Sequence, residues 1–453
     1  MDDAHNDTAL HSFEDLLRPF VEAIKPASAR RIGAEAEKFG VDALTGAPVA
    51  YDGPRSVSSV FEALVQRGWS RVSERPGGPT IALTRDNASV TLEPGCQLEL
   101  SGAPFASVHA IAAETRHHLD ELRDLSTDLG LVWLGVGFHP LARLSELPMV
   151  PKARYSIMKN YLPTRGTSGV EMMFRTATVQ ANFDYSSEEE AMRMLNIALR
   201  ISPIVTAMFA NSPFVEGRAF GGKSYRARVW LDVDPSRQGL LPSVLSGQRR
   251  FADYVEWALD APMFLIKRGA EVLENTGQTF RVFMKEGLRG HRATHADWEL
   301  HLNTMFPEVR LKRTIEVRGA DSLPAGLSSA VPALWTGILY DQKSLDEADD
   351  LSREFSFEEL QALRSQVAIS GLGALFRGQR VAHFAERLIA SASEGLRRRS
   401  VLDACGNDER EHLKEIAALV QKGRCPADEL LDGLDVESPG LRAEILKRAR
   451  VDR

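Results

Sequence analysis

Cysteine is scarce: Cys96, Cys405 and Cys425 are the three in 453 residues, with no C-x-x-C pair and no His/Cys spacing of a zinc site. That excludes a disulfide framework or structural zinc as the basis of the fold, and the odd count points to free thiols. No uninterrupted apolar run reaches bilayer length, and the acidic start, MDDAHNDTALHSFEDLL, lacks the basic and apolar segments of a secretion signal. A cytoplasmic location without a membrane partner is the expectation. Charge of one sign is also lacking: 55 basic residues against 62 acidic ones give a net charge of -7, spread too evenly for a nucleic-acid surface. No internal repeat and no low-complexity block divides the chain. With 43% hydrophobic residues it can bury a substantial core. The reading is one catalytic unit over residues 1–453, with 1–10 frayed and about 332–453 a mainly helical tail packed on it.

Helical patterns fall at 12–24, 57–67, 107–129, 187–211 and 296–305, several opening on a serine suited to capping. Between them, 176–185 alternates strictly, Ala177, Val179, Ala181, Phe183 and Tyr185 against Thr176, Thr178, Gln180, Asn182 and Asp184. The same alternation reads as a strand at 224–233, with Arg226, Arg228 and Trp230 on its polar side, and at 309–318, with Arg310, Lys312, Thr314, Glu316 and Arg318. An antiparallel sheet whose polar face meets water explains any one of these. A sheet whose polar face lines a ligand site explains why Gln, Asn, Arg and Trp recur there.

Two further segments carry closely spaced carboxylates: Glu35 and Glu37, two apart on one strand face, in RIGAEAEKFG, and Glu93 before a Pro-Gly turn with Glu99 after it in VTLEPGCQLELSG, where Gln97 shares the face of Glu99. With Glu316 they make five carboxylates that could converge. Like charges held together repel and resist desolvation, so they call for a cation, and magnesium takes oxygen ligands while leaving positions for phosphate. A glycosidase would also use paired carboxylates, but leaves the basic residues around Glu316 without a role. Phosphoryl transfer uses both signs. The stretch GRAFGGKS at 217–224 formally fits a P-loop, but it follows a helix and precedes an alternating segment, which is the wrong context.

In order, the segments RIGAEAEKFG, VTLEPGCQLELSGAP, MMFRTATVQANFDYSSEEEAMR, MFANSPFVEG, KSYRARVWLDVDPSRQG and DWELHLNTMFPEVRLKRTIEVRGAD resemble the glutamate-cysteine ligases of the plant and proteobacterial type. The resemblance implies an α+β fold like that of glutamine synthetase: an antiparallel sheet curved into a funnel, surrounded by helices. It also implies ATP- and magnesium-dependent joining of the glutamate γ-carboxylate to the cysteine amine through γ-glutamyl phosphate, the first step of glutathione synthesis. Carried over by position, it makes Glu35, Glu37, Glu93, Glu99 and Glu316 the magnesium ligands, and Arg318 the stabiliser of the transferring phosphoryl group beside Glu316. Arg226 becomes the grip on the glutamate α-carboxylate. Gln180, Asn182 and Met173 become substrate contacts, and Lys312 and Arg313 contacts for ATP. The family usually reads Gly-Thr-Glu-His-Glu-Lys where this chain has Gly33, Ala34, Glu35, Ala36, Glu37 and Lys38, and its Lys-x-Asn-Gly is replaced near 218–223. Another amine acceptor, or a catalytically silent ligand-binding relative, stays open at this point.

Overall fold

In a computed structural model, which describes residues 8–246, 250–269 and 271–452, strand β1 (Ile32–Asp42) runs through the middle of a nine-stranded sheet. On one side follow β5 (Leu98–Ser101), β4 (Ala88–Leu92), β3 (Thr80–Arg85) and β2 (Ser70–Ser73). On the other lie β7 (Thr178–Phe183), β9 (Ile315–Asp321) and β8 (Val309–Leu311), while β6 (Leu131–Leu134) pairs with the last part of β1. Every pair in this sheet is antiparallel, and β8 and β2 remain edges, so the sheet stays open rather than closing on itself.

The helices surround it, and several start where a serine hydroxyl accepts an otherwise unpaired backbone N–H. Ser12 caps α1 (Phe13–Val21), Ser56 caps α2 (Val57–Val65) and Ser107 caps α3 (Val108–Leu129). Helices α4 (Ala153–Tyr161) and α5 (Gly169–Arg175) follow, and Ser187 caps α6 (Glu188–Met208). From Ala191 to Met208 every residue of α6 except Arg193 is buried, which is what an apolar pattern on all sides requires. It packs against β8 and β9 and carries the largest core cluster.

Two expected strands differ. Residues 224–233 contain α7 (Tyr225–Val229) instead, because the Ser224 hydroxyl accepts from Ala227 N–H and starts a helical turn. Of its period-two apolar residues, Val229 and Val233 are buried and Tyr225 packs half-buried against the same cluster. Residues 309–318 are a hairpin, β8 and β9, with Lys312, Arg313 and Thr314 between the strands. Of the segment expected to fray, residues 8–10 are held: Ala9 bridges Thr294, and Leu10 N–H donates to Ala293 O at 2.9 Å. Residues 1–7 lie outside the described residues. The end of the chain returns to the sheet, where Ile445 and Leu446 pack with Phe39 and Leu134, and Val451 N–H donates to Trp133 O at 2.9 Å.

Candidate active site

Pleating sends Glu35 and Glu37 to one face of β1, and the antiparallel register sets Glu37 opposite Glu99 and Glu35 opposite Gln180. Above this face opens a cavity of about 700 Å³ whose lining includes Glu35, Glu37, Glu93 and Glu99. Glu93 follows β4 at a tight turn in which Cys96 takes a left-handed conformation (φ 64°), its N–H donating to Glu93 O at 2.9 Å. The turn thus brings Glu93 and Glu99 to the same wall. Hydrogen bonds fix the carboxylates: Thr178 N–H and the Gln180 amide donate to Glu37 at 3.0 and 3.4 Å, and the Asn182 amide donates to Glu35 at 2.9 Å. The Ser101 and Thr91 hydroxyls donate to Glu99.

These donors do not offset burial. Desolvation first, then the charge of neighbouring carboxylates, raises Glu35, raises Glu37 well above the usual carboxylate range and pushes Glu99 up to about 7. The other half of the same face has the opposite character. Glu316, fully buried, is gripped by Arg310 at 2.7 Å, Lys312 at 2.9 Å and Arg318. Burial opposes its charge, yet the three cations hold it well below the ordinary value. A β-bulge makes this arrangement possible: between Val317 and Ala320 the register with β7 shifts, so Arg318 and Gly319 together face Gln180. Arg318 consequently donates to Gln180 Oε1 at 2.7 Å as well as to Glu316.

Arg226 enters the cavity from α7 and not from a strand. Its guanidinium donates to Arg318 O at 2.8 Å and lies 3.9 Å from Asp321, which also accepts from Ser212, Ser224 and Asn211 N–H. Its Nε is buried without a partner among the described residues, as is the Trp230 indole N–H beside it. Met173, Gln180, Lys312 and Arg318 also line the cavity. Three expected site residues stand apart from the lining. Asn182 acts through Glu35 and accepts from Thr314 at 3.2 Å, and Glu316 lies beneath its cations. Arg313, expected to contact ATP, is exposed in the hairpin turn and pairs with Glu299 at 2.8 Å. Lys223 of the P-loop-like stretch pairs with Asp428 at 2.5 Å, away from the cavity.

Sequence reasoning missed Arg310 as the main partner of Glu316. It also missed Lys152, Arg154 and Tyr155, which line the carboxylate end from the start of α4. Burial, then the neighbouring Arg154, brings Lys152 down to about 8 while its ammonium donates to Leu92 O at 2.8 Å. The only signal was a basic cluster after Pro151.

Among the described residues, no three carboxylate, imidazole or thiol groups converge tightly enough to hold a metal as placed. The donor chemistry nonetheless fits a hard divalent cation. Glu35, Glu37, Glu93 and Glu99 supply oxygens on one wall, where burial and mutual repulsion raise three of them and a divalent cation would offset both. Glu316 would reach a cation only by giving up Lys312 or Arg318. No helix among the described residues is long and apolar enough to cross a membrane.

Residues 31–448 match the family described as Glutamate-cysteine ligase family 2 (GCS2). Over 423 residues the chain is 41% identical to glutamate-cysteine ligase A, chloroplastic, of Oryza sativa subsp. indica, covering 92% of this chain and 84% of that protein. It is 40% identical to the chloroplastic enzymes of Medicago truncatula and Arabidopsis thaliana, covering 92% of this chain and 81% and 79% of theirs. The fold is similar to that of a crystal structure of glutamate-cysteine ligase from Francisella tularensis in complex with AMP, with TM-score 0.59 and 13% identity over 93% of this chain and 87% of that one. The cytoplasmic location expected from the sequence does not stand, because these plant relatives are all named chloroplastic.

Proposed function

The chain belongs to glutamate-cysteine ligase family 2, and from that premise we propose how its cavity uses ATP to join the γ-carboxylate of glutamate to the amine of cysteine. The product is γ-glutamylcysteine, the first intermediate of glutathione synthesis. One observation carries the reading: a single sheet face divides into a wall of under-neutralised carboxylates and a wall of arginine and lysine, both open to one cavity. A carboxylate is a poor electrophile, so amide formation needs the glutamate γ-oxygen converted into a phosphate leaving group. That step places negative charge where the two walls meet.

Arg318, held by Glu316 and Gln180, presents its guanidinium to the phosphoryl group in transfer and needs no reorganisation as charge develops. Lys312 adds positive charge for the nucleotide from the same counter-ion. Arg310, which also lines the cavity, neutralises Glu316 through paired hydrogen bonds and keeps the cluster aligned. Arg226, with a buried Nε and a neighbouring Trp230 N–H still to be satisfied, receives the glutamate α-carboxylate, for which a planar fork is suited. Met173 packs on the substrate's aliphatic part, while Gln180 and Asn182 hold Arg318 and Glu35 in place. Magnesium, bound through Glu35, Glu37, Glu93 and Glu99, would neutralise the phosphate oxygens of ATP.

ADP release with magnesium-ATP and glutamate, with cysteine and then other amines added in turn and every product weighed, tests this function. Stimulation by cysteine with a γ-glutamylcysteine product is expected. Preference for another amine would move the acceptor, and binding without turnover would overturn the enzyme.

A further inference from the structure

Behind the catalytic face, between β1 and α3, lies a small space of about 10 Å³ bordered by Lys38, Thr115, His118, Ser322 and Ser328 among others. Pleating puts Lys38 on this side of β1, opposite to Glu37, and it is 2% exposed. Burial brings it down to about 7, and its amino group, an N–H donor in either protonation state, reaches Ala36 O at 2.9 Å and keeps at least one further N–H to place. His118, also 2% exposed, projects from α3, and neither ring nitrogen has a hydrogen-bond partner among the described residues. Burial, then the charges of Lys38, Arg85 and His117, keeps the imidazole neutral, so one nitrogen offers a lone pair and the other an N–H.

Two deeply buried polar side chains with unmet capacity thus border one space large enough for a single water centre. We propose that Lys38 and His118 bind one internal water molecule there, accepting from the Lys38 amino group and donating to the imidazole, and that this bridge positions β1 beneath Glu37. An apolar cavity of this size would stay empty, whereas Thr115, Ser322 and Ser328 border this one beside Lys38 and His118. The bridge joins a second tie on the same strand segment, the Ser322 hydroxyl donating to Glu37 O at 2.5 Å. Helix α3 and the Ser322 loop therefore both fix the backbone that carries two of the cavity's carboxylates. His118 is in this sense a positioning residue and touches no substrate.

The site itself is tested independently of any turnover. A high-resolution crystal structure of the full chain is expected to show one ordered solvent peak within hydrogen-bond reach of both side chains. An empty cavity, or a direct Lys38–His118 hydrogen bond, would overturn it. Crystals soaked in bromide should show no anomalous peak at this position, since replacement by bromide would make it an anion site. The positioning role rests on the ligase reading and has its own test in His118→Leu and His118→Gln. Leu should lose the solvent peak and lower kcat roughly tenfold with the ATP KM nearly unchanged, while Gln, able to bond water, should recover most of kcat. Loss of the peak with unchanged kcat would refute the positioning role and leave the water site standing.

Discussion

Glu99→Gln should make the metal-free protein more stable while destroying its activity. Glu99 is 8% exposed, and burial together with Glu35 and Glu93 pushes its carboxyl up to about 7 from 4.5. A folded-state value above the unfolded one means that the folded chain binds this proton more tightly. The contribution to stability is therefore complete below pH 4.5 and is lost as pH rises to about 7. The difference corresponds to about 3 kcal/mol of penalty for the charged form. Glutamine removes the charge while its amide oxygen still accepts from Thr91 and Ser101, so a gain of ~1–3 kcal/mol is expected at pH 8 without metal. Urea unfolding of both proteins with a chelator, at pH 8 and again near pH 4, reads it directly. The gain should vanish at the lower pH, where both side chains are neutral. Added magnesium should stabilise the parent more than the variant, by mass action on the native state. A variant less stable than the parent at pH 8 without metal would refute the electrostatic reasoning, whatever happened to turnover.

Three other perturbations separate the remaining roles. Arg226→Ala should raise the glutamate KM roughly ten- to a hundredfold, from loss of a charged hydrogen bond, and leave the ATP KM nearly unchanged in steady-state kinetics. Arg310→Met should cost ~2–4 kcal/mol in urea unfolding, because it strips the main partner from the fully buried Glu316, and adding Glu316→Gln should recover part of that loss. Lys223→Ala should keep turnover within about twofold and lose less than ~1 kcal/mol, since its ion pair with Asp428 is partly exposed and remote from the cavity. Abolished turnover would restore the P-loop reading.

The carboxylate wall was legible because its signal is local: alternation on β1 fixes the side of Glu35 and Glu37, and a Pro-Gly turn folds Glu93 back beside Glu99. The polar strand 176–185 was legible for the same reason, appearing as β7 with Gln180 and Asn182 on the cavity side. At 224–233 the identical alternation misled, since a serine cap decides between strand and helix over so short a span, and Ser224 supplies one. The hairpin at 309–318 lacks Gly, Pro, Asn or Asp in its turn Lys312-Arg313-Thr314, so nothing marked the reversal that sends Arg313 outward. Lys152 and Arg154 reach the cavity through tertiary packing of α4, and His118 borders the same space as Lys38 from a sequence distance that no motif spans.

The central claim is that glutamate is activated at its γ-carboxylate by phosphoryl transfer between the two walls. Turnover of glutamate labelled with ¹⁸O in that carboxylate, with ATP and cysteine, tests it most directly. Released phosphate carrying one ¹⁸O atom is the expected result. Label appearing in AMP, or unlabelled phosphate beside γ-glutamylcysteine, would contradict the account.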